Sequence, residues 1–356
     1  MLLLVILTII EISARLYEYQ NPAQFCKLIG ADVFKNTTDF AIRDVCKDHL
    51  FLVYEKRHVI EMAPNQHLTH MNINNFGFRG PDITLEKPDN TYRIFVMGGS
   101  TVVGGGSSSD SATIPGFLQQ KFDNVDLDFK VEVINAGVPG QYSFGEWYDI
   151  RKKILAFEPD LIIVFDGWND AQNRNYIAPD IEQMEKQAEI TKREITIANF
   201  PYYRSPYVIF STFFEHGKPF AFTAPIGEEI RSEVVRLWKT RWIETCELAK
   251  SEGFEMLIAL QPIVGAGNKP LTENEQSFAP NNEHRIETVT IMELLAKSLD
   301  EVGKSCEYTA DLRNIFDDVS EPVYFDQGHM VDFGNEIVVQ KLFEISLPIV
   351  IDDPRS

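Results

Sequence analysis

Four short segments of this sequence carry the residue types that acyl-transfer chemistry requires. The first is Gly98-Gly99-Ser100-Thr101, in which a serine directly follows two glycines. A serine at a tight strand-to-helix turn presents its hydroxyl above the sheet, and the helix N-terminus places backbone N–H groups beside it. The segment therefore predicts Ser100 as a nucleophile, although Gly-Gly-Ser also occurs in ordinary loops.

Two further segments can supply hydrogen-bond donors to a developing oxyanion. Gly140 ends the run Asn-Ala-Gly-Val-Pro-Gly, and its backbone N–H can approach a substrate closely. Asn169 lies in Asp-Gly-Trp-Asn-Asp, and its amide is a neutral donor that stabilises negative charge without losing a proton. Taken singly, these runs also fit a Pro-Gly turn and a type I turn that caps a helix.

The fourth segment contains Asp326 and, three residues later, His329. An aspartate in this position can fix the imidazole tautomer, so that the free ring nitrogen takes a proton from a serine. Asp332 is a competing acid, but its spacing predicts the cap of the final helix instead. His67 and His70 have no third ligand at a matching spacing, so neither a metal site nor another cofactor is predicted.

The elements that must position these residues alternate between strand and helix. Short apolar runs predict strands at residues 92–97, 131–135, 160–165, 254–260 and 307–312. Amphipathic runs predict helices at residues 113–122, 147–157, 227–251, 285–302 and 335–343. This alternation predicts an α/β protein, a three-layer α/β/α sandwich around a five-stranded parallel sheet. Sites in such sheets form at the carboxyl ends of the strands, where the polar segments lie.

Three regions fall outside this alternation. Residues 1–20 are predicted to be a hydrophobic anchor or signal segment, and residues 21–90 an N-terminal extension of the main domain at residues 91–350. Residues 171–224 are predicted to be an insertion that forms a lid or a wall of the site.

The N-terminus and the cysteines bear on the compartment. The first ten residues are almost wholly apolar, but a transmembrane helix needs about 20, and no basic residues precede the run. An anchor that attaches residues 1–16 to a membrane and a buried helix both remain open. We favour the anchor, and with it an extracytoplasmic location. In an exported protein, Cys26 with Cys46 and Cys246 with Cys306 would form disulfides, and four reduced thiols are the alternative.

Charge and motif content disfavour nucleic acid and phosphate ligands. The chain has 33 basic and 53 acidic residues and a net charge of −20, which repels a phosphate backbone. The glycines at residues 104–106 complete neither GxxxxGK[ST] nor GxGxxG, and no lysine follows them. A nucleotide-binding doubly wound domain is therefore the less favoured interpretation.

Serine, glycine, asparagine and Asp-x-x-His occur here in the order that the SGNH (GDSL-like) hydrolase superfamily shows. From about residue 92 onward the chain resembles that superfamily, whose fold is flavodoxin-like. The resemblance implies that Ser100 is the nucleophile and that Asp326 and His329 complete its triad. It also implies an oxyanion hole formed by the Ser100 N–H, the Gly140 N–H and the Asn169 amide. The expected activity is a serine esterase.

Two details bear on the substrate. The family's first block often reads Gly-Asp-Ser, whereas Gly99 precedes the serine here, which leaves the substrate class open. Residues 75–81, Asn-Phe-Gly-Phe-Arg-Gly-Pro, together with the serine block resemble a membrane-anchored or exported prokaryotic subgroup linked to cell-surface polysaccharides. An acetyl group on a carbohydrate or small ester is therefore the implied substrate. A glycan O-acyltransferase that uses the same residues, and a non-catalytic surface protein that keeps the fold, remain alternatives.

Overall fold

A computed structural model describes residues 2–21, 32–34, 42, 44–46, 48, 54–56, 60–172, 174 and 226–352. Most of the predicted insertion at residues 171–224 lies outside these ranges, and only positions 171, 172 and 174 are described. Its role as a lid or a wall of the site therefore stays a prediction.

The N-terminal part begins with helix α1 (Leu2–Gln20), whose apolar side chains are largely exposed. Within the described residues, no helix combines the length and the apolar character that crossing a bilayer requires. Two short antiparallel pairs follow along the chain, β1 (Tyr54–Lys56) with β2 (Ile60–Met62) and β3 (Gln66–His67) with β4 (Asn72–Ile73). Membrane attachment of the N-terminus stays a prediction.

The central sheet has five strands, and every neighbouring pair in it is parallel. In chain order the strands are β5 (Thr91–Gly98), β6 (Lys130–Gly137), β7 (Leu161–Asp166), β8 (Glu255–Leu260) and β9 (Tyr308–Asp311). Their spatial order is β6-β5-β7-β8-β9, which is the 2-1-3-4-5 order of flavodoxin-like sheets. Every residue of β5 and β7 is buried, which explains the consecutive apolar side chains at residues 94–97 and 161–165.

Helices cover both faces of this sheet. After α1, the described α-helices are α2 (Ser100–Val103), α3 (Ile114–Asp123), α4 (Ser143–Lys152), α5 (Trp168–Gln172), α6 (Glu228–Glu252), α7 (Glu273–Gln276), α8 (Glu283–Val302) and α9 (Asp332–Ile351). Trp238 of α6 shares one core with Phe95 of β5. Leu118 of α3 and Val338 of α9 share a second core with Ile94, the neighbouring residue of the same strand. The predicted α/β/α sandwich with a five-stranded parallel sheet is confirmed.

Two helices differ in extent from the prediction. The helix predicted at residues 147–157 starts earlier, as α4 at Ser143, and residues 154–157 form a separate 3₁₀ turn. Lys153 separates the two because its φ of −133° is not helical. Helix α9 continues to Ile351 although it contains Pro348, because Ile349 and Val350, which follow the proline, are buried in the second core.

The prediction that Asp332 caps the final helix is wrong. Asp332 is the first residue of α9, the N-cap position is Val331, and no side chain caps the helix there. The Asp332 carboxylate instead accepts hydrogen bonds from the backbone N–H of Ser108 at 2.9 Å and from Ser108 Oγ at 2.5 Å. Asp332 therefore joins the loop after α2 to the start of α9.

Cys246 and Cys306 form a disulfide that links α6 to the turn before β9. Both residues are buried in the first core. Cys46 is disulfide-bonded as well, whereas Cys26 lies outside the described residues. No free cysteine is present among the described residues, so the alternative of reduced thiols does not apply to them.

Candidate active site

Ser100 lies at the carboxyl end of the central strand β5, as the first residue of the single-turn helix α2. The turn between strand and helix requires glycine at residue 98, which has a φ of +158°. A Cβ atom there would also lie closer than 3.0 Å to the carbonyl oxygen of Phe165 in the neighbouring strand. Because Ser100 begins a helix, its backbone N–H has no acceptor within that helix and can serve a ligand.

Ser100, His329 and Asp326 form one hydrogen-bonded row. His329 Nε2 lies 2.6 Å from Ser100 Oγ, and His329 Nδ1 lies 2.6 Å from Asp326 Oδ2. Since a carboxylate only accepts, Nδ1 carries the ring proton and Nε2 is left to accept the proton of the serine hydroxyl. The arrangement can therefore generate a serine alkoxide.

The Asp326 carboxylate is held in its ionised form. Its Oδ1 atom accepts from the backbone N–H groups of Gly328 at 2.9 Å and His329 at 2.8 Å. Burial by itself would raise the pKa of Asp326, but the His329 ring and these hydrogen bonds outweigh burial and lower the pKa below its usual value. A carboxylate in this state keeps the imidazole in one tautomer and stabilises the imidazolium form.

Two aromatic side chains fix the plane of the His329 ring. Phe325 stacks on it, with ring centroids 5.4 Å apart and an interplanar angle of 7°. Trp168 meets it edge-on, with centroids 5.0 Å apart and an angle of 77°. Both ring nitrogens are thus directed along the row that joins Asp326 to Ser100.

The Asn169 side chain and the Gln141 carbonyl oxygen lie against Gly99, the residue before Ser100. Asn169 is in α5, at the end of β7, and its Nδ2 atom donates to the carbonyl oxygen of Gln141 at 2.7 Å, which leaves a second amide hydrogen. Gly140 precedes Gln141 and has a φ of +76°, and a Cβ atom on it would meet open space. A Cβ atom on Gly99 would lie closer than 3.0 Å to Asn169 Nδ2, so the two residues are in direct contact. This contact gives a physical reason for glycine at residue 99.

A group of buried acids behind Asn169 was not anticipated from the sequence. Asp170 accepts from the backbone N–H of Ser143 at 3.0 Å and also from Ser143 Oγ, and Arg241 lies 3.7 Å from it. These contacts join α5, α4 and α6 directly beneath the asparagine. Asp170, next to the asparagine, was the one sequence signal for this group. Its partners could not be identified from the sequence, because they are 27 or more residues away in the chain.

Glu146 and Asp166 form the deepest pair of that group. Asp166, at the end of β7, accepts from Trp238 Nε1 at 3.1 Å, and Glu146 is 1% exposed. Burial, followed by the nearby Asp166 charge, raises the pKa of Glu146 well above its usual value. Burial and the neighbouring charge of Asp166 therefore both favour the protonated form of Glu146.

The structure offers no support for a metal centre in the part of the chain that it describes. No group of three His, Cys, Asp or Glu side chains is arranged there to bind a metal ion. His67 instead approaches Asn72 Oδ1 at 3.2 Å, and His70 Nδ1 approaches the Ser108 carbonyl oxygen at 3.1 Å.

Comparison with protein-family models and with curated proteins yields no match. Among solved structures, the acetyl xylan esterase AlAXEase is 13% identical, with a TM-score of 0.42, and the match covers 71% of this chain and 98% of that one. Axe2, an acetylxylan esterase from Geobacillus stearothermophilus, is 11% identical with a TM-score of 0.41, over 71% of this chain and 93% of its own. LAE5, an alpha/beta hydrolase enzyme from the metagenome of Lake Arreo, Spain, is 10% identical with a TM-score of 0.45, over 72% and 94%.

Proposed function

We propose that this protein is a serine esterase of the SGNH type, in which Ser100 attacks the carbonyl carbon of an acyl ester. The observation that carries the proposal is the row of two 2.6 Å hydrogen bonds from Ser100 through His329 to Asp326. A nucleophile, a base and an orienting acid in this geometry are the parts of a serine hydrolase triad.

In the proposed reaction, His329 Nε2 takes the Ser100 proton as Oγ bonds to the acyl carbon. The carbonyl electron pair moves onto oxygen, and the N–H groups of Ser100 and Gly140 and the Asn169 amide stabilise the oxyanion. When the intermediate collapses, the bond from carbon to the alcohol oxygen breaks, and that oxygen takes the proton from Nε2. Water or a sugar hydroxyl then repeats these steps on the acyl-enzyme and frees Ser100.

The proposed substrate is an acetyl group on a carbohydrate, and the proposed location is extracytoplasmic. The substrate rests on the resemblance of residues 75–81 and of the serine block to an exported or membrane-anchored subgroup. The Cys246–Cys306 disulfide supports an oxidising compartment. The exposed apolar side chains of α1 support attachment to a membrane through residues 1–16.

Hydrolysis of p-nitrophenyl acetate and labelling by a fluorophosphonate test the activity. We expect the wild type to be active and labelled, and Ser100→Ala to be inactive, unlabelled and folded. Ser109→Ala is the matched control, because Ser109 lies in the same glycine-rich region and its Oγ forms a hydrogen bond with Ser111 Oγ at 3.0 Å. Full activity in Ser100→Ala would contradict the proposal, and an unlabelled, inactive wild type would favour a non-catalytic protein.

Supplying an acetylated xylo-oligosaccharide or another acetylated glycan with a second, unacetylated glycan separates hydrolysis from transfer. Release of free acetate identifies an esterase. Acetylated acceptor that accumulates while little acetate appears identifies an O-acyltransferase that uses the same residues. The Ser100→Ala protein reports any background transfer in both measurements.

A further inference from the structure

Arg79, from the N-terminal extension, donates hydrogen bonds to the end of the helix that begins with Ser100. Its Nη1 atom lies 2.8 Å from the carbonyl oxygen of Val103 and 3.0 Å from that of Gly104. Its Nε atom donates to Asp110 at 2.8 Å, and its side chain is 1% exposed. A buried guanidinium therefore closes the carboxyl end of α2.

Asn135 donates a hydrogen bond to the neighbouring carbonyl of the same helix. Asn135 Nδ2 donates to the carbonyl oxygen of Val102 at 3.0 Å, and Asn135 Oδ1 accepts from the Gly137 N–H at 3.1 Å. The backbone N–H of Arg79 donates to the Asn135 carbonyl oxygen at 3.2 Å, which links the two residues. Three consecutive carbonyls at the end of α2 are thus bound by these two side chains.

These hydrogen bonds from Arg79 and Asn135 matter because α2 is only four residues long. A single helical turn has few internal hydrogen bonds, and its terminal carbonyls need outside partners. Any rotation of the turn moves Ser100 Oγ relative to His329 Nε2 and moves the Ser100 N–H relative to the other oxyanion donors. Cation and amide donors at the far end of the turn oppose such a rotation.

We infer that Arg79, together with Asn135, is a positioning residue for the reaction of Ser100. The inference rests on the proposed function and assigns the N-terminal extension a part in it. Lysine has no planar fork and cannot reproduce the bonds to Val103, Gly104 and Asp110 together. Loss of the fork therefore misaligns the nucleophile without removing a group that contacts the substrate.

The test compares Arg79→Lys with Arg93→Lys. Arg93 is a matched control, because its side chain is 0% exposed and it donates to Glu132 and to the carbonyls of Leu85 and Phe157, but it lies at the opposite end of β5. We expect Arg79→Lys to lower kcat by about 10- to 100-fold with KM changed less than about threefold. The rate of fluorophosphonate labelling at saturating reagent should fall in parallel. Arg93→Lys should lower thermal stability to a similar degree and leave both rates unchanged.

Asn135→Asp provides a second test should Arg79→Lys not fold. It keeps an acceptor for the Gly137 N–H and loses the donor to Val102, so the same fall in kcat is expected. An active wild type with unchanged kcat in the folded variants would overturn the positioning role and leave the proposed function intact. Equal losses of kcat in Arg79→Lys and Arg93→Lys would also overturn it. A wild type that neither hydrolyses ester nor reacts with the fluorophosphonate would refute the proposed function itself.

Discussion

The Asn169 side chain lies directly against Gly99, so that a Cβ atom at residue 99 would come closer than 3.0 Å to Asn169 Nδ2. The same Cβ atom would lie 3.1 Å from the carbonyl oxygen of Gln141, which accepts from that amide. The residue before Ser100 therefore determines where one of the proposed oxyanion donors can lie.

Gly99→Ala should displace the Asn169 amide and lower kcat by about 10²- to 10³-fold, the usual effect of losing one oxyanion donor. A double-mutant cycle with Asn169→Ala tests whether Gly99→Ala acts through the asparagine, because the effects of two changes that remove the same donor are not additive. We expect Gly99→Ala to have little further effect on kcat in the Asn169→Ala background. Fully additive effects would contradict an action of Gly99 through the asparagine.

Asp326→Asn should lower kcat by about 10⁴-fold, as expected when the orienting carboxylate of a triad is replaced by an amide. The amide can donate to Nδ1 and favour the tautomer whose Nε2 carries the proton, so His329 no longer accepts from Ser100. Steady-state kinetics on p-nitrophenyl acetate measure the loss. Asp332→Asn is the control, because that carboxylate binds Ser108 and not the imidazole. Equal losses in the two variants would contradict the assignment of the acid.

Stability should decrease as the pH rises from about 4 to about 8, in part because of Asp149. Burial, with a contribution from Glu61, raises the pKa of Asp149 to about 8 in the folded protein. The unfolded chain loses this proton near pH 3.9, so between the two values the folded state binds more protons, and stability falls as the pH rises. One such proton corresponds to a slope of about 1.4 kcal/mol per pH unit.

Asp149→Asn should therefore make this decline shallower, as measured by urea unfolding between pH 5 and pH 8.5. Glu146, Asp166 and Asp170 also have raised pKa values and remain in the variant, so the slope should decrease without vanishing. Asp318→Asn, at an exposed carboxylate, should leave the slope unchanged. A slope equal to that of the wild type in Asp149→Asn would exclude this carboxyl as a contributor.

Removal of the Cys246–Cys306 disulfide should lower the free energy of unfolding by about 2–5 kcal/mol, because the bridge closes a long loop in the unfolded chain. The paired variant Cys246→Ala with Cys306→Ala tests this by urea unfolding without reductant. Both residues are at most 2% exposed, so a reductant should act on the folded wild type only slowly. Identical unfolding curves for the two proteins would show that the bridge adds no stability.

The sheet could be predicted from the sequence because strands buried on both faces leave a simple signal. Residues 92–97 and 160–165 are short, largely apolar runs with a glycine within two residues of their ends, and each overlaps an observed strand. The end of α9 could not be predicted, because Pro348 normally indicates a helix end, and only tertiary packing of the residues after it extends the helix.

In the candidate site, too, some residues could be predicted from the sequence and others could not. Serine, histidine and aspartate could be proposed because each residue type has its own chemistry and a place at a strand end or near the last helix. The contact between Glu146 and Asp166, and that between Arg79 and the carbonyls after Ser100, depend on how distant segments pack. No spacing along the chain encodes such contacts, so the supporting residues emerged only from the structure.

The hydrogen bond between His329 and Ser100 spans 229 residues of sequence. We expect this contact to form after the sheet has assembled and the loop before α9 has docked onto it, because pairing residues so far apart carries a loop-closure cost. Recovery of ester hydrolysis during refolding should therefore report completion of the whole domain and not the formation of its parts. A partly synthesised or partly folded chain would carry an exposed but unreactive serine, which delays chemistry until the protein is complete.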